Sequence, residues 1–305
     1  GKTYLAYDFA KAFFEFISYI NLEHDKDILN LFECKNLSLF KERLVACLRL
    51  DLSIPPESRI LIIDEIGDCP NALDMIRGCD ISDIFRYIIL ISSKPVNRKP
   101  DNIIEFHVNP LGFDEFLIAT GNEWYIEAIV THFYSNKNIP DIVHNELLEF
   151  FRLYLQTGGM PGAVNEYLNM ASLVNVQEMH SFLIGLYRDR INREYSDSEA
   201  LKMLQVFDSL ACQLAKENKK FQYRLIRKGT TQSMYKDAIQ KLCDDKYIIK
   251  CCRISSDQLL NPAAILTGRW ESMDSTTNFK LYYPDSGLCH TQLIKTYGRP
   301  LDKAC

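Results

Sequence analysis

The chain has 305 residues, 47% of them apolar and 25% charged, which suits two or three folded domains and excludes an intrinsically disordered protein. No apolar run reaches the roughly 20 residues that span a bilayer, and no basic-then-apolar leader opens the sequence, so no membrane partner is expected and the expected location is cytoplasmic. Ten cysteines occur singly apart from Cys251-Cys252, with no C-x-x-C pair, and are read as reduced thiols instead of zinc ligands.

In chain order, the first feature is Gly1-Lys2-Thr3, followed by Leu5, Ala6, Phe9, Ala10, Phe13 and Phe14 at helical spacing. The trio matches the end of the phosphate-binding pattern G-x-x-x-x-G-K-[ST]. There, backbone N–H groups cradle phosphates, the lysine reaches the β- and γ-phosphates and the hydroxyl coordinates Mg²⁺. A helix N-terminus, with unpaired N–H groups and the positive end of its dipole, suits such an anion.

Tyr19 to Glu23 reads as a strand after this helix. Arg59 to Asp64 then forms an apolar, β-branched run that ends in Asp64-Glu65, as the Walker B pattern does. Such a run suits a central parallel strand buried on both faces, whose carboxyl end is where these sheets place ligand chemistry. Asp64 is expected to hold Mg²⁺, directly or through water, and Glu65 to orient or deprotonate the attacking water. A third strand, Tyr87 to Ile91, ends in Ser92-Ser93, and Ser93 is read as a polar sensor of the γ-phosphate or the water. The alternation of strand and helix predicts an α/β fold with a doubly wound parallel sheet.

Together these stretches resemble prokaryotic AAA-type ATPases in which a P-loop domain precedes a winged helix and a C-terminal domain of unknown function. GKTYLAYDFAKAFF, YINLE, ILIIDEIGDCPNAL, VNPLGFDEFLIATG, YLQTGGMPGAVNEYL, LYRDRINREY, QLAKENKKFQY and FKLYYPDSGLC follow that family in order. The resemblance implies ATP as ligand and Mg²⁺ as cofactor. It implies Gly1, Lys2, Thr3 and Asp64 at the nucleotide, Thr3 and Asp64 at the metal, and Glu65, Lys2 and Ser93 in catalysis. Two positions depart from the pattern: Gly67 stands where relatives usually carry glutamine, and Ser92 where many have glycine. The resemblance also implies a chain truncated at both ends. The strand and first half of the phosphate loop would precede Gly1, and a longer region, nuclease-like in parts, would follow Cys305.

The expected domains are therefore 1–111, the ATPase core; 112–195, a helical lid; 196–255, the winged helix; and 256–305, the beginning of a C-terminal α/β domain. The Gly158-Gly159-Met160-Pro161 run marks a sharp reorientation within the lid. Arg188, Arg190 and Arg193 could reach phosphates as arginine fingers or form a solvated helix face. Residues 201–253 hold twelve Lys and Arg against five Asp and Glu, a charge of +7 against −12 for the remainder. That footprint suits duplex DNA, with Lys219, Lys220, Arg224, Arg227, Lys228, Lys236 and Lys241 as candidate contacts and Lys246 to Arg253 as the wing. A packing module is the other reading. Three functions follow: an ATPase moving its lid and winged helix on a nucleic-acid or protein partner, self-association included; a nucleotide-gated interaction protein with little hydrolysis; and a DNA-binding remnant with feeble ATP affinity.

Overall fold

The computed structural model describes residues 1–23, 26–34, 36–94, 103–252 and 279–298. Arg253 of the expected wing and most of the expected domain from residue 256 lie outside the described residues. The chain divides into two compact units, Gly1–Val108 and Asn109–Cys305.

The first unit is built on three parallel strands, β1 (Phe16–Asn21), β2 (Arg59–Asp64) and β3 (Tyr87–Leu90), in the order β1-β2-β3. All six residues of β2 are buried, as an apolar central strand must be. Period-two alternation divides its side chains between two faces. Leu61 and Ile63 pack with helices α2 (Lys26–Phe32), α3 (Leu37–Cys47) and α4 (Pro70–Gly78), while Ile60 and Ile62 pack with Ala6 and Ala10 of α1 (Lys2–Phe13). The helix thus meets the sheet through two alanines. The wider apolar stripe expected of α1 is not buried: Leu5, Phe9 and Phe13 are exposed, as is Tyr4.

The second unit begins with α5 (Phe113–Ala119), α6 (Trp124–Ser135), α7 (Asp141–Thr157), α8 (Pro161–Met170) and α9 (Leu173–Glu194). It continues with α10 (Asp197–Leu214), a 3₁₀ turn at Tyr223–Leu225, α11 (Gln232–Asp244), and strands β4 (Ile249–Cys252) and β5 (Phe279–Tyr282), which pair antiparallel before α12 (Ser286–Tyr297). At the start of α10 the Glu199 carboxylate reaches back to accept the Ser196 N–H at 3.3 Å and the Ser196 hydroxyl at 2.6 Å, as the Ser-x-x-Glu spacing allows. The main core joins Ile184 and Ile191 of α9, Met203, Phe207 and Leu210 of α10, Tyr235 and Leu242 of α11, Phe279 and Leu281 of β5, and Leu288 of α12.

The stretch from Phe279, within the expected domain 256–305, pairs with β4 and shares the core of α9 to α11. Asp285-Ser286-Gly287 starts α12: the Asp285 carboxylate accepts the N–H of Leu288 at 3.0 Å as its N-cap. Its other oxygen accepts the N–H of Gly159 at 2.7 Å. The Gly-Gly-Met-Pro run is therefore a structural junction. Gly158 has φ +70°, and a Cβ there would sit 2.2 Å from the Asp285 carboxylate.

Beside that junction His180 is fully buried, its Nε2 donating to the Thr157 carbonyl at 3.0 Å and its Nδ1 accepting from the Thr291 hydroxyl at 2.9 Å. Burial holds its pKa below the ordinary 6.5, because charging the ring would strand it away from water. A depressed pKa contributes stability that is complete above the unfolded value and is lost as pH falls through 6.5 toward the folded value. The thermal midpoint of this unit is expected to fall between about pH 7 and about pH 5, and calorimetry on a His180→Phe variant should show that component removed. An identical pH slope in the variant contradicts the assignment.

Candidate functional site

Asp64, at the end of β2, points to the α1 face because it alternates with Ile60 and Ile62. The first turn of α1 lies over that strand end, and no side chain caps the helix at Gly1. As a result the Thr3 hydroxyl donates to Asp64 Oδ2 at 2.7 Å, across 61 residues of sequence. Gly1 and Lys2 share the same helix end, and the Gly1 carbonyl accepts the N–H of Leu5 at 3.0 Å. Among the described residues no cluster of three or more His, Cys, Asp or Glu is placed to hold a metal ion.

Glu65 leaves the strand in the left-handed region, with φ 54° and ψ 42°. A non-glycine residue there costs about 1 kcal/mol or more, and such strain gathers at functional sites. The turn swings its carboxylate toward the end of β3, where Oε2 accepts the Ser93 N–H at 3.1 Å and Oε1 accepts the Ser93 hydroxyl. Two residues proposed for catalysis from sequence thus touch each other. The strand ends are tied further by the Ile66 N–H to the Ile91 carbonyl at 2.9 Å and by an ion pair of Lys94 with Asp68.

The two departures from the family pattern also meet. A Cβ on Gly67 would lie 2.6 Å from the Ser92 Oγ and 3.0 Å from the Lys94 Cβ. The Ser92 hydroxyl donates to the Lys94 carbonyl at 2.7 Å, which fixes it in that space. The small residue at 67 therefore accommodates the larger one at 92. Two independent oddities of sequence become one packing solution.

The cations expected at duplex DNA are not equivalent. Lys241 is committed to an ion pair with Glu199 and stacks 5.0 Å from the Tyr195 ring centroid. The α11 surface is mixed, with Lys236 beside the exposed Asp237 and Asp244. Lys220, Arg224, Arg227 and Lys228 are exposed on the connection between α10 and α11, and Lys219 is half-buried there. Of the arginines considered as fingers, Arg188 pairs with Asp208, and Arg190 with Glu194 at 2.7 Å. Tyr19, read from sequence as a strand residue with no role at the site, donates to Asp64 Oδ2 at 2.9 Å. Only the strand register could have revealed it.

Among the described residues no helix is long and apolar enough to cross a membrane. Residues 1–117 match the family described as an AAA domain, and residues 148–297 match a domain of unknown function (DUF8612). No curated protein matches the chain. Among solved structures, the Walker-type ATPase PABY2304 of Pyrococcus abyssi is similar at a TM-score of 0.49 and 13% identity, covering 96% of this chain and 87% of that one. The amino-terminal match covers both the helix that carries Thr3 and the parallel sheet that carries Asp64.

Proposed function

We propose that this chain binds ATP at the amino-terminal end of α1 and hydrolyses it there by in-line attack of water on the γ-phosphate. The Thr3 to Asp64 hydrogen bond carries the reading. It joins two motifs 61 residues apart at the carboxyl edge of a parallel sheet. The donor set suits a hard divalent cation, because both groups offer oxygen. Thr3 gives its proton to Asp64, so the lone pairs of its hydroxyl remain for the cation. Mg²⁺, when bound, would neutralise charge on the phosphates. Lys2 adds a cation at the same helix end, the N–H groups of that end face the phosphates, and Glu65 holds and orients the water.

Thr3→Val keeps the helix and removes the hydroxyl. Mg²⁺-dependent tightening of a fluorescent ATP analogue is expected to fall about tenfold or more, with metal-free binding unchanged. Equal Mg²⁺ dependence in both proteins would sink the proposal.

A second reading, nucleotide-gated recognition with little hydrolysis, is supported by one observation: both carboxylate oxygens of Glu65 are engaged by Ser93. Steady-state phosphate release with and without DNA separates the two readings.

For the output we read α10, the 3₁₀ turn, α11 and the β4–β5 pair as the winged helix, and residues 112–195 as a lid that responds to nucleotide. The exposed cations before α11 favour duplex DNA held by its phosphates. Reversing Lys220, Arg224, Arg227 and Lys228 to glutamate is expected to weaken duplex binding at least about tenfold at low salt and flatten its salt dependence. Unchanged anisotropy titrations would remove DNA from the reading.

A further inference from the structure

Asp64 makes more hydrogen bonds than a simple cation ligand needs. Its Oδ2 accepts from Thr3 at 2.7 Å and from the Tyr19 phenol at 2.9 Å, and its Oδ1 accepts the Glu65 N–H at 2.9 Å. Tyr19 reaches it through sheet geometry. The parallel register sets Tyr19 beside Ile62 and Asn21 beside Asp64, and alternation turns Ile17, Tyr19 and Asn21 to the face shared by Ile60, Ile62 and Asp64.

Besides Asp64, Tyr7 and Asn21 hold the Tyr19 side chain in place. Tyr7, one helical turn after Thr3, packs edge-on against the Tyr19 ring with centroids 6.4 Å apart and planes at 84°. Lys11, one turn further, lies 4.9 Å from the Tyr7 ring centroid. The Asn21 side chain donates to the Tyr19 oxygen at 3.3 Å, so that oxygen accepts one bond and donates its own proton to Asp64.

We propose that Tyr19 is a positioning residue that decides how the carboxylate serves a cation. A carboxylate oxygen has two lone pairs, and Thr3 and Tyr19 occupy both on Oδ2. Asp64 therefore cannot offer that oxygen to a cation without breaking a charge-assisted bond. It keeps instead the proton of Thr3 and leaves the Thr3 lone pairs facing outward. With the phenol gone, Oδ2 regains a free lone pair and the carboxylate can turn away from Thr3. Tyr19 thus keeps Oδ2 on Thr3 and away from the cation, so that the threonine oxygen faces the cation and any direct contact from Asp64 comes through the second lone pair of Oδ1. This rests on the ATPase reading above.

The test uses the full 305-residue chain and Tyr19→Phe, which keeps the ring against Tyr7 and removes one hydroxyl. Binding of a fluorescent ATP analogue is titrated with Mg²⁺ and with EDTA, alongside a thermal melt to confirm folding. The expected result is unchanged binding in EDTA and Mg²⁺-dependent tightening reduced about fivefold to tenfold. Equal Mg²⁺ dependence, a stronger dependence in the variant, or an equal loss in EDTA overturns the role of Tyr19 alone. A parent protein whose binding gains nothing from Mg²⁺ removes the ATPase reading, and this one with it.

Discussion

Glu65→Gln is expected to bind MgATP as the parent chain does and to release phosphate about a hundredfold to ten-thousandfold more slowly. The substitution is nearly isosteric, and the amide oxygen can still accept the Ser93 N–H that the carboxylate now accepts at 3.1 Å. The left-handed turn at residue 65 is a backbone feature and persists. What disappears is negative charge and basicity at the one carboxylate that leaves β2 toward the end of β3. A water held by an amide is oriented without being activated, so the loss falls on turnover and spares affinity. Steady-state phosphate release and equilibrium nucleotide binding, measured on the same preparations, separate the two quantities. Hydrolysis at the parent rate would take Glu65 out of the mechanism and favour the nucleotide-gated reading.

The largest expected effect on stability lies in the second unit, at Gly159. Its N–H donates to Asp285 at 2.7 Å and its carbonyl accepts the Leu111 N–H at 2.7 Å. A Cβ there would lie 2.0 Å from the Leu111 carbonyl oxygen and 2.7 Å from its nitrogen. These are backbone atoms, so no side-chain rotation can relieve the overlap. Gly159→Ala must therefore break the Leu111 bond, the Asp285 bond or both, and a buried carboxylate deprived of its donor is costly. A loss of about 4 kcal/mol is expected, corresponding to roughly 10 °C in the melting temperature of a unit this size. Gly162, three residues on and inside α8, is the control. Its Cβ would meet only the Met179 side chain, at 3.6 and 3.9 Å, ordinary contacts, and Gly162→Ala should be neutral or slightly stabilising. If both variants melted together near the parent value, the junction would not be a structural constraint.

Local chemistry made several elements legible. The β-branched run from Arg59 to Asp64 had to be a strand buried on both faces, since nothing else hides so many apolar side chains ending in two carboxylates. Phe207, Leu210 and Leu214, then Tyr235, Ala238, Ile239 and Leu242, lie at helical spacing and form the buried faces of α10 and α11. The same spacing misled at α1, where Leu5, Phe9 and Phe13 belong to the apolar pattern and yet stay exposed while Ala6 and Ala10 meet the sheet. Periodicity reports a helix; it does not report which part of a broad stripe finds a partner.

Thus the primary structure alone determined α1 and the three strands of the first unit, and that a hydroxyl, a lysine and two carboxylates end those elements. Propensity, capping and alternation act over a few residues and are written locally. Only the tertiary structure decided that Tyr19 shares an oxygen with Thr3, that Gly67 makes room for Ser92, and that Asp285 reaches Gly159 across 126 residues. Strand register and long-range pairing are fixed by the burial of whole faces at once, and no short stretch of sequence carries that sum.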